Sequence, residues 1–201
     1  MVQAEPAPLQ ALIALGSNLP GPGGDPEATV AAAMRALGAL GRVAAKSRAW
    51  RSPAWPPGGP DYVNAAAVVE TALGPEAALE RLHAIEAEFG RIRDASRDAS
   101  RNARWASRTL DLDLLALGDL VRPDAATQGA WRALPPARQG VEAPAGLVLP
   151  HPRMQDRGFV LVPLAEVAPG WRHPLLGVTV ARMLANLPPA AREGLRPIEG
   201  H

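Results

Sequence analysis

The chain has 201 residues, 47% apolar and 20% charged, with 21 basic and 20 acidic side chains and a formal net charge of +1. That length buries a real core in one domain with generous loops or in a small two-lobed one, and the composition excludes a disordered chain, a coiled coil and an unselective polyanion binder. The absence of cysteine excludes disulfides, thiolate catalysis and Cys-zinc sites, and Lys46 is the single lysine, so the cations are almost all arginines, whose planar fork fits phosphate oxygens in pairs.

Met1–Pro8 carries no basic residue and no long apolar run, and Ala11–Leu15 is too short to span a bilayer. No signal peptide or membrane span is expected, and the cytoplasm is the expected location. Leu9–Leu15 reads as a buried strand that ends in a turn at Gly16-Ser17-Asn18. Asp25-Pro26 supplies an N-cap and a proline at the first helical position, and Val30, Met34 and Leu37 give a helical stripe ending near Gly38 and Gly41. Arg42–Arg51 alternates as a second strand. Ser52–Pro60, with four prolines and two glycines, is a loop.

Asp61–Leu73 is a third strand, and Gly74-Pro75 opens a second helix lined by Leu79, Leu82, Ile85 and Phe89 and stopped by Gly90. Arg91–Ser107 is polar, with the near-repeat RDAS-RDAS-RNAR, and Arg108–Leu117 is the fourth strand. A polar, Pro-containing stretch, Gly118–Gly146, precedes the short apolar piece Leu147–Pro150, and helical patterns follow around Phe159–Val167 and Val178–Leu187. The order β-α-β-β-α-β predicts an α+β, ferredoxin-like fold with a mixed, mainly antiparallel sheet, helices on one face and the other face available. Such a fold does not choose a function.

The chemistry concentrates at Asp111-Leu112-Asp113. Residues two apart on a strand point to one face, so both carboxylates converge while Leu110, Leu112 and Leu114 enter the core. A pair of carboxylates completed by water and phosphate oxygens suits Mg²⁺, although the same spacing also occurs on plain exposed strand faces. Arg91, Arg93 and Arg108 flank the loop into this strand, and Arg157 follows His151 in a second segment. Carboxylates for metal and guanidiniums for phosphate is the division of labour of phosphoryl transfer. No Walker A motif exists, since Lys46 follows Ala45, so a nucleotide is held by another device. Tyr62 and Asn64 share the i, i+2 spacing, one flat ring beside one amide, and with Phe159 they suit a planar heterocycle as well as core packing.

These residues resemble the 6-hydroxymethyl-7,8-dihydropterin pyrophosphokinase (2-amino-4-hydroxy-6-hydroxymethyldihydropteridine diphosphokinase) family of folate biosynthesis. The matching pieces are Ala14–Asn18, Arg51-Ser-Pro53, Pro60–Asn64, Ile85-Glu86, Gly90–Arg93, Arg108–Asp113 and Pro150-His151 through Arg157-Gly-Phe159, in family order over about Leu9–Pro169. The resemblance implies a single domain over 1–201, with a core of about 9–169, extended loops at 94–107 and 118–146, and extra C-terminal helices. It implies a transferase that moves the β,γ-diphosphoryl group of ATP to the pterin hydroxymethyl oxygen and releases AMP. Asp111 and Asp113 would hold two Mg²⁺ ions, with Arg91, Arg93 and Arg108 as catalytic cations. Glu86, Arg91, Arg93, Trp105, Arg108, His151 and Arg157 would bind ATP. Ser52, Pro53, Ala54, Trp55, Tyr62, Asn64 and Phe159 would bind the pterin, and closure of the Trp105 loop would exclude water.

The chain departs from the family pattern at Asp94, at Pro152, at Gly146–Val148 and throughout 118–146. Nucleotide contacts there are expected to differ. The expected partners are ATP and the pterin, with no nucleic acid or membrane, and the expected state is a monomer. A competing reading is an RNA-recognition module, which shares β-α-β-β-α-β and which Arg157-Gly-Phe159-Val160 faintly echoes; the near-neutral charge, and Leu161 and Pro163 where further rings are needed, speak against it. A homologue that binds without turnover is a third.

Overall fold

The computed structural model describes residues 7–54, 57–90, 109–135, 138 and 141–199. Its sheet has six strands, β1 (Leu9–Ser17), β2 (Arg42–Lys46), β3 (Trp50–Ser52), β4 (Tyr62–Thr71), β5 (Asp111–Leu117) and β6 (Arg196–Pro197), in the order β5-β1-β4-β3-β6 with β2 also on β4. The helices are α1 (Pro26–Ala36), α2 (Pro75–Glu88), α3 (Ala125–Arg132), α4 (Gly158–Val167) and α5 (Val180–Asn186).

Neighbouring strands run antiparallel throughout the pairings β1 to β4, β1 to β5, β2 to β4, β3 to β4 and β3 to β6. Since β1 and β2 both run opposite to β4, they are parallel to each other with β4 between them. The α+β expectation holds, and the parallel relation belongs to the crossover through α1 rather than to a hydrogen-bonded ladder.

Local chemistry accounts for the helix ends. The Asp25 carboxylate accepts the Ala28 amide at 2.8 Å ahead of Pro26, and Pro75 opens α2. The chain leaves α2 at Gly90 with φ +83°, a conformation that glycine adopts without steric cost.

Three local expectations change. Gly16 and Ser17 continue β1 instead of turning, because Asn64 and Val63 pair with them and the Ser17 hydroxyl donates to the Thr109 carbonyl at 2.6 Å. The second strand is split into β2 and β3: the Ser47 hydroxyl accepts the Ala66 amide at 2.9 Å, and Arg48 turns outward to Glu166, its Nε 2.9 Å from Oε1. The 118–146 stretch contains α3, capped by Asp124, whose carboxylate accepts the Thr127 amide at 2.8 Å.

The largest difference concerns the second sheet face. Alternation sends Ala11, Ile13 and Leu15 into one core with Val30, Leu37, Leu82 and Ile85 of the α1/α2 side. Leu12, Ala14, Ala66 and Val68 enter a second core with Val160, Leu161 and Leu164 of α4 and Val180 and Met183 of α5. The face expected to be available is therefore covered over part of its length by the C-terminal helices. This explains why β4 is buried almost continuously from Val63 to Val69 instead of alternating.

Candidate active site

The face that carries α4 and α5 also carries the motif residues, because register puts them there. Gly16 of β1 is paired with Asp111 on one side and Asn64 on the other, and Asn64 is paired with Trp50. Paired residues point the same way, so Asp111, Gly16, Asn64 and Trp50 form one row across four strands. The neighbouring row runs Asp113, Ala14, Ala66, and on the other side Tyr62 pairs with Ser52. The carboxylate pair thus projects from β5 on the same face as the amide and ring of β4. Leu112 and Leu114 enter the α1/α2 core as expected, and Leu110 is likewise buried there.

Small residues keep the surface between these groups open. A Cβ on Gly16 would stand 3.6 Å from Asn64 Oδ1, so a side chain here would occupy the space between the amide and Asp111. Asn64 is itself held: its Nδ2 donates to Ser52 Oγ at 2.9 Å, and both side chains are buried. Pro53 and Ala54 follow Ser52 into the loop.

The second motif arrives through α4, which packs on β4. Arg157 is its N-cap residue, with its Nη1 3.6 Å from Asp113 Oδ2 and its guanidinium 5.7 Å from the centre of the Phe159 ring. Phe159 is 41% exposed, unusual for a ring on the first turn of a helix whose later residues are core. Gly158 between them is required: a Cβ there would overlap the Ala191 carbonyl oxygen, so the 3-10 turn Pro189–Arg192 braces the start of α4 by backbone contact.

His151 stands beside the carboxylates. Its amide donates to the Leu115 carbonyl at 2.7 Å, and its Nδ1 accepts the Arg153 amide at 3.1 Å, which leaves the proton on Nε2. Burial, reinforced by the Arg157 and Arg153 charges, lowers its pKa to about 3. The ring is neutral at physiological pH and offers an N–H without adding a charge.

Asp111, Asp113 and His151 share the lining of a cavity of about 410 Å³ with Leu79 and His83 of α2. Sequence reading passed over His83, although it falls four residues after Leu79 and three before Glu86, on one stripe of α2. It also passed over Trp131 and Glu142, which line the same cavity from the 118–146 stretch. The one local mark of α3 is its Asp124 cap, and Gly129 interrupts a helix of only eight residues.

Glu86, expected at the nucleoside end, continues that stripe inward and has no exposed surface. Its Oε1 accepts the Leu112 amide at 2.8 Å. It reaches the site through the peptide between the two aspartates. Trp55, Arg91, Arg93, Trp105 and Arg108 lie outside the described residues, as does the 94–107 loop.

The donor set fits magnesium. Asp111 and Asp113 supply two carboxylates on one face, Asp113 about a third exposed, opposite Gly16 and Ala14, while no group of three His, Cys, Asp or Glu among the described residues closes a protein cage. Two carboxylates with the remaining positions left to water and phosphate is the magnesium pattern.

The sequence model described as "7,8-dihydro-6-hydroxymethylpterin-pyrophosphokinase (HPPK)" matches residues 12–169. The chain is 40% identical over 138 residues to a Synechocystis protein named 2-amino-4-hydroxy-6-hydroxymethyldihydropteridine pyrophosphokinase, covering 69% of this chain and 56% of that one. A Methylorubrum extorquens protein of the same name is 36% identical over 187 residues, covering 92% and 97%. Among solved structures, Plasmodium falciparum HPPK-DHPS wild type with pteroate superimposes with a TM-score of 0.61 at 12% identity, over 92% of this chain and 45% of that one, which speaks for the fold. The chain thus spans little more than half of the Synechocystis relative and under half of the Plasmodium one.

Proposed function

The chain belongs to the 7,8-dihydro-6-hydroxymethylpterin-pyrophosphokinase family, and from that premise we propose that it transfers the β,γ-diphosphoryl group of ATP to the hydroxymethyl oxygen of 6-hydroxymethyl-7,8-dihydropterin. The observation that carries the reading is the shared row: Asp111, Gly16 and Asn64 lie side by side on one face, metal-type donors next to an amide with nothing but glycine between them. A flat heterocycle read by Asn64 puts its substituent toward Asp111.

In the step itself, the pterin hydroxymethyl oxygen forms a bond to the β-phosphorus, the bond between that phosphorus and the α,β-bridging oxygen breaks, AMP leaves and the hydroxyl proton passes to solvent. Asp111 and Asp113 would hold two Mg²⁺ ions. Bound there, magnesium supplies charge neutralisation for the phosphate oxygens. Arg157, now beside Asp113, offers a guanidinium for a phosphate oxygen, and His151 offers its Nε2 proton as a neutral donor. Arg91, Arg93 and Arg108 are assigned to the same polyanion by sequence. Phe159 and Tyr62 supply faces for the pterin, and Ser52 fixes the Asn64 amide that reads its edge.

The RNA-recognition alternative loses its support, because such modules stack bases on an open sheet face and α4 and α5 cover part of this one. No helix among the described residues is long and apolar enough to cross a membrane. The reading places the enzyme in the cytoplasm as a monomer, with two small polar substrates.

The test is product analysis with purified protein, Mg²⁺, ATP and 6-hydroxymethyl-7,8-dihydropterin. AMP is expected in step with the pterin diphosphate. ADP would mean that another bond breaks, and no nucleotide product would leave only a binding role.

A further inference from the structure

The cavity lining divides by chemistry. Its charged part is Asp111, Asp113, Glu142 and the guanidinium of Arg153, and its apolar part includes Leu79, Leu114, Leu147 and the ring of Trp131. A ligand that satisfies both parts is a flat apolar group joined to an anion that meets Arg153 directly and the aspartates through a divalent cation, which is the description of a magnesium-bound nucleoside triphosphate.

Trp131 is the group in this lining that packing does not explain. It is the largest apolar side chain of α3, it is only partly buried, and it belongs to neither hydrophobic core among the described residues. Its helix is nevertheless held in place. Gln128, one turn earlier, is fully buried and its Nε2 donates to the Pro150 carbonyl at 3.1 Å, in the peptide that leads into His151. After the helix, Arg138 pairs in bidentate fashion with Glu142, the next cavity-lining residue of this segment, with Nη2 2.9 Å from Oε2. A half-buried indole outside both cores of the described residues, on a helix clamped to the backbone of the site, is a stacking platform.

We propose that Trp131 binds the base of the nucleotide by stacking, so that the segment between β5 and His151 determines nucleotide affinity and base preference. This rests on the reading that a nucleoside triphosphate occupies the cavity. An indole face favours the larger purine ring over a pyrimidine, and it contributes nothing to a polyphosphate without a base.

The test compares wild type, Trp131→Ala and Trp131→Phe as full-length proteins, titrated in Mg²⁺ with α,β-methylene ATP, with the corresponding CTP analogue and with inorganic tripolyphosphate. Trp131→Ala should bind the ATP analogue at least about fivefold more weakly, the low end of what one stacked base contributes. The loss should be smaller for the CTP analogue and absent for tripolyphosphate, and Trp131→Phe should restore most of it. In turnover, KM for ATP should rise with kcat and the pterin KM unchanged. Equal weakening of all three ligands would overturn the proposal in favour of a merely structural role. A wild type that turns over ATP while Trp131→Ala keeps its ATP affinity would overturn it alone, whereas a wild type that binds no triphosphate would overturn the functional reading with it.

Discussion

The Leu112 amide, between the two aspartates, donates to Glu86 Oε1 at 2.8 Å. β5 is the edge of the sheet, so alternate amides on its outer side have no strand to bond, and here a carboxylate from α2 takes that place. The fully buried Glu86 therefore sets the position of the strand that bears both carboxylates. Glu86→Ala should cost about 2 kcal/mol through the orphaned buried amide and lower kcat roughly tenfold. Glu86→Gln, which keeps an acceptor oxygen, should recover much of both. Urea unfolding and initial rates check this, and equal behaviour of the two variants would contradict it.

The paired carboxylates carry the second prediction. Asp111→Asn and Asp113→Asn should each reduce turnover by about a hundredfold or more. Pterin affinity should change little, since Asn64 and Ser52 are untouched. AMP formation and pterin titration measure the two effects separately. Full activity in both variants would remove the metal assignment.

Phe159 offers a cleaner separation of stability from function. With 41% of its surface exposed, it contributes little to the core, and Phe159→Ala should change stability by no more than about 0.5 kcal/mol. If the ring stacks on the pterin, KM for the pterin should rise about tenfold while KM for ATP stays put. Thermal melting alongside steady-state kinetics tests both halves.

Acid should weaken the fold through two imidazoles. Burial is the main cause in each: it lowers His151 to about 3, with help from Arg157 and Arg153, and His173 to about 4, with help from Arg132. Unfolded histidines take up protons near pH 6.5, while these stay neutral in the folded chain down to their lowered values. The unfolded state binds more protons across that window, so stability is fully present above about pH 6.5 and is lost as pH falls toward 4. The urea midpoint should fall over this range, less steeply in His173→Gln. A midpoint independent of pH between 6.5 and 4.5 would refute the assignment.

Much of this molecule follows from local sequence. Asp25-Pro26 and Gly74-Pro75 mark two helix starts because caps and proline act within a few residues, and the period-2 rule alone sends Asp111 and Asp113 to one face. The carboxylate pair and the Arg157-Gly-Phe159 element were recognisable for the same reason: each is a short motif. What lay beyond local reading depends on partners distant in the chain. The row of Asp111, Gly16 and Asn64 exists only once strand register is set, and the covering of the second face needs α4 and α5 to fold back onto β1 and β4. Helix α3 is only eight residues long and is held by Gln128 on the Pro150 carbonyl, a bond over twenty-two positions. Its Trp131 reaches the cavity by that tertiary bond, since a weak helix takes its place from what it docks against rather than from its own periodicity.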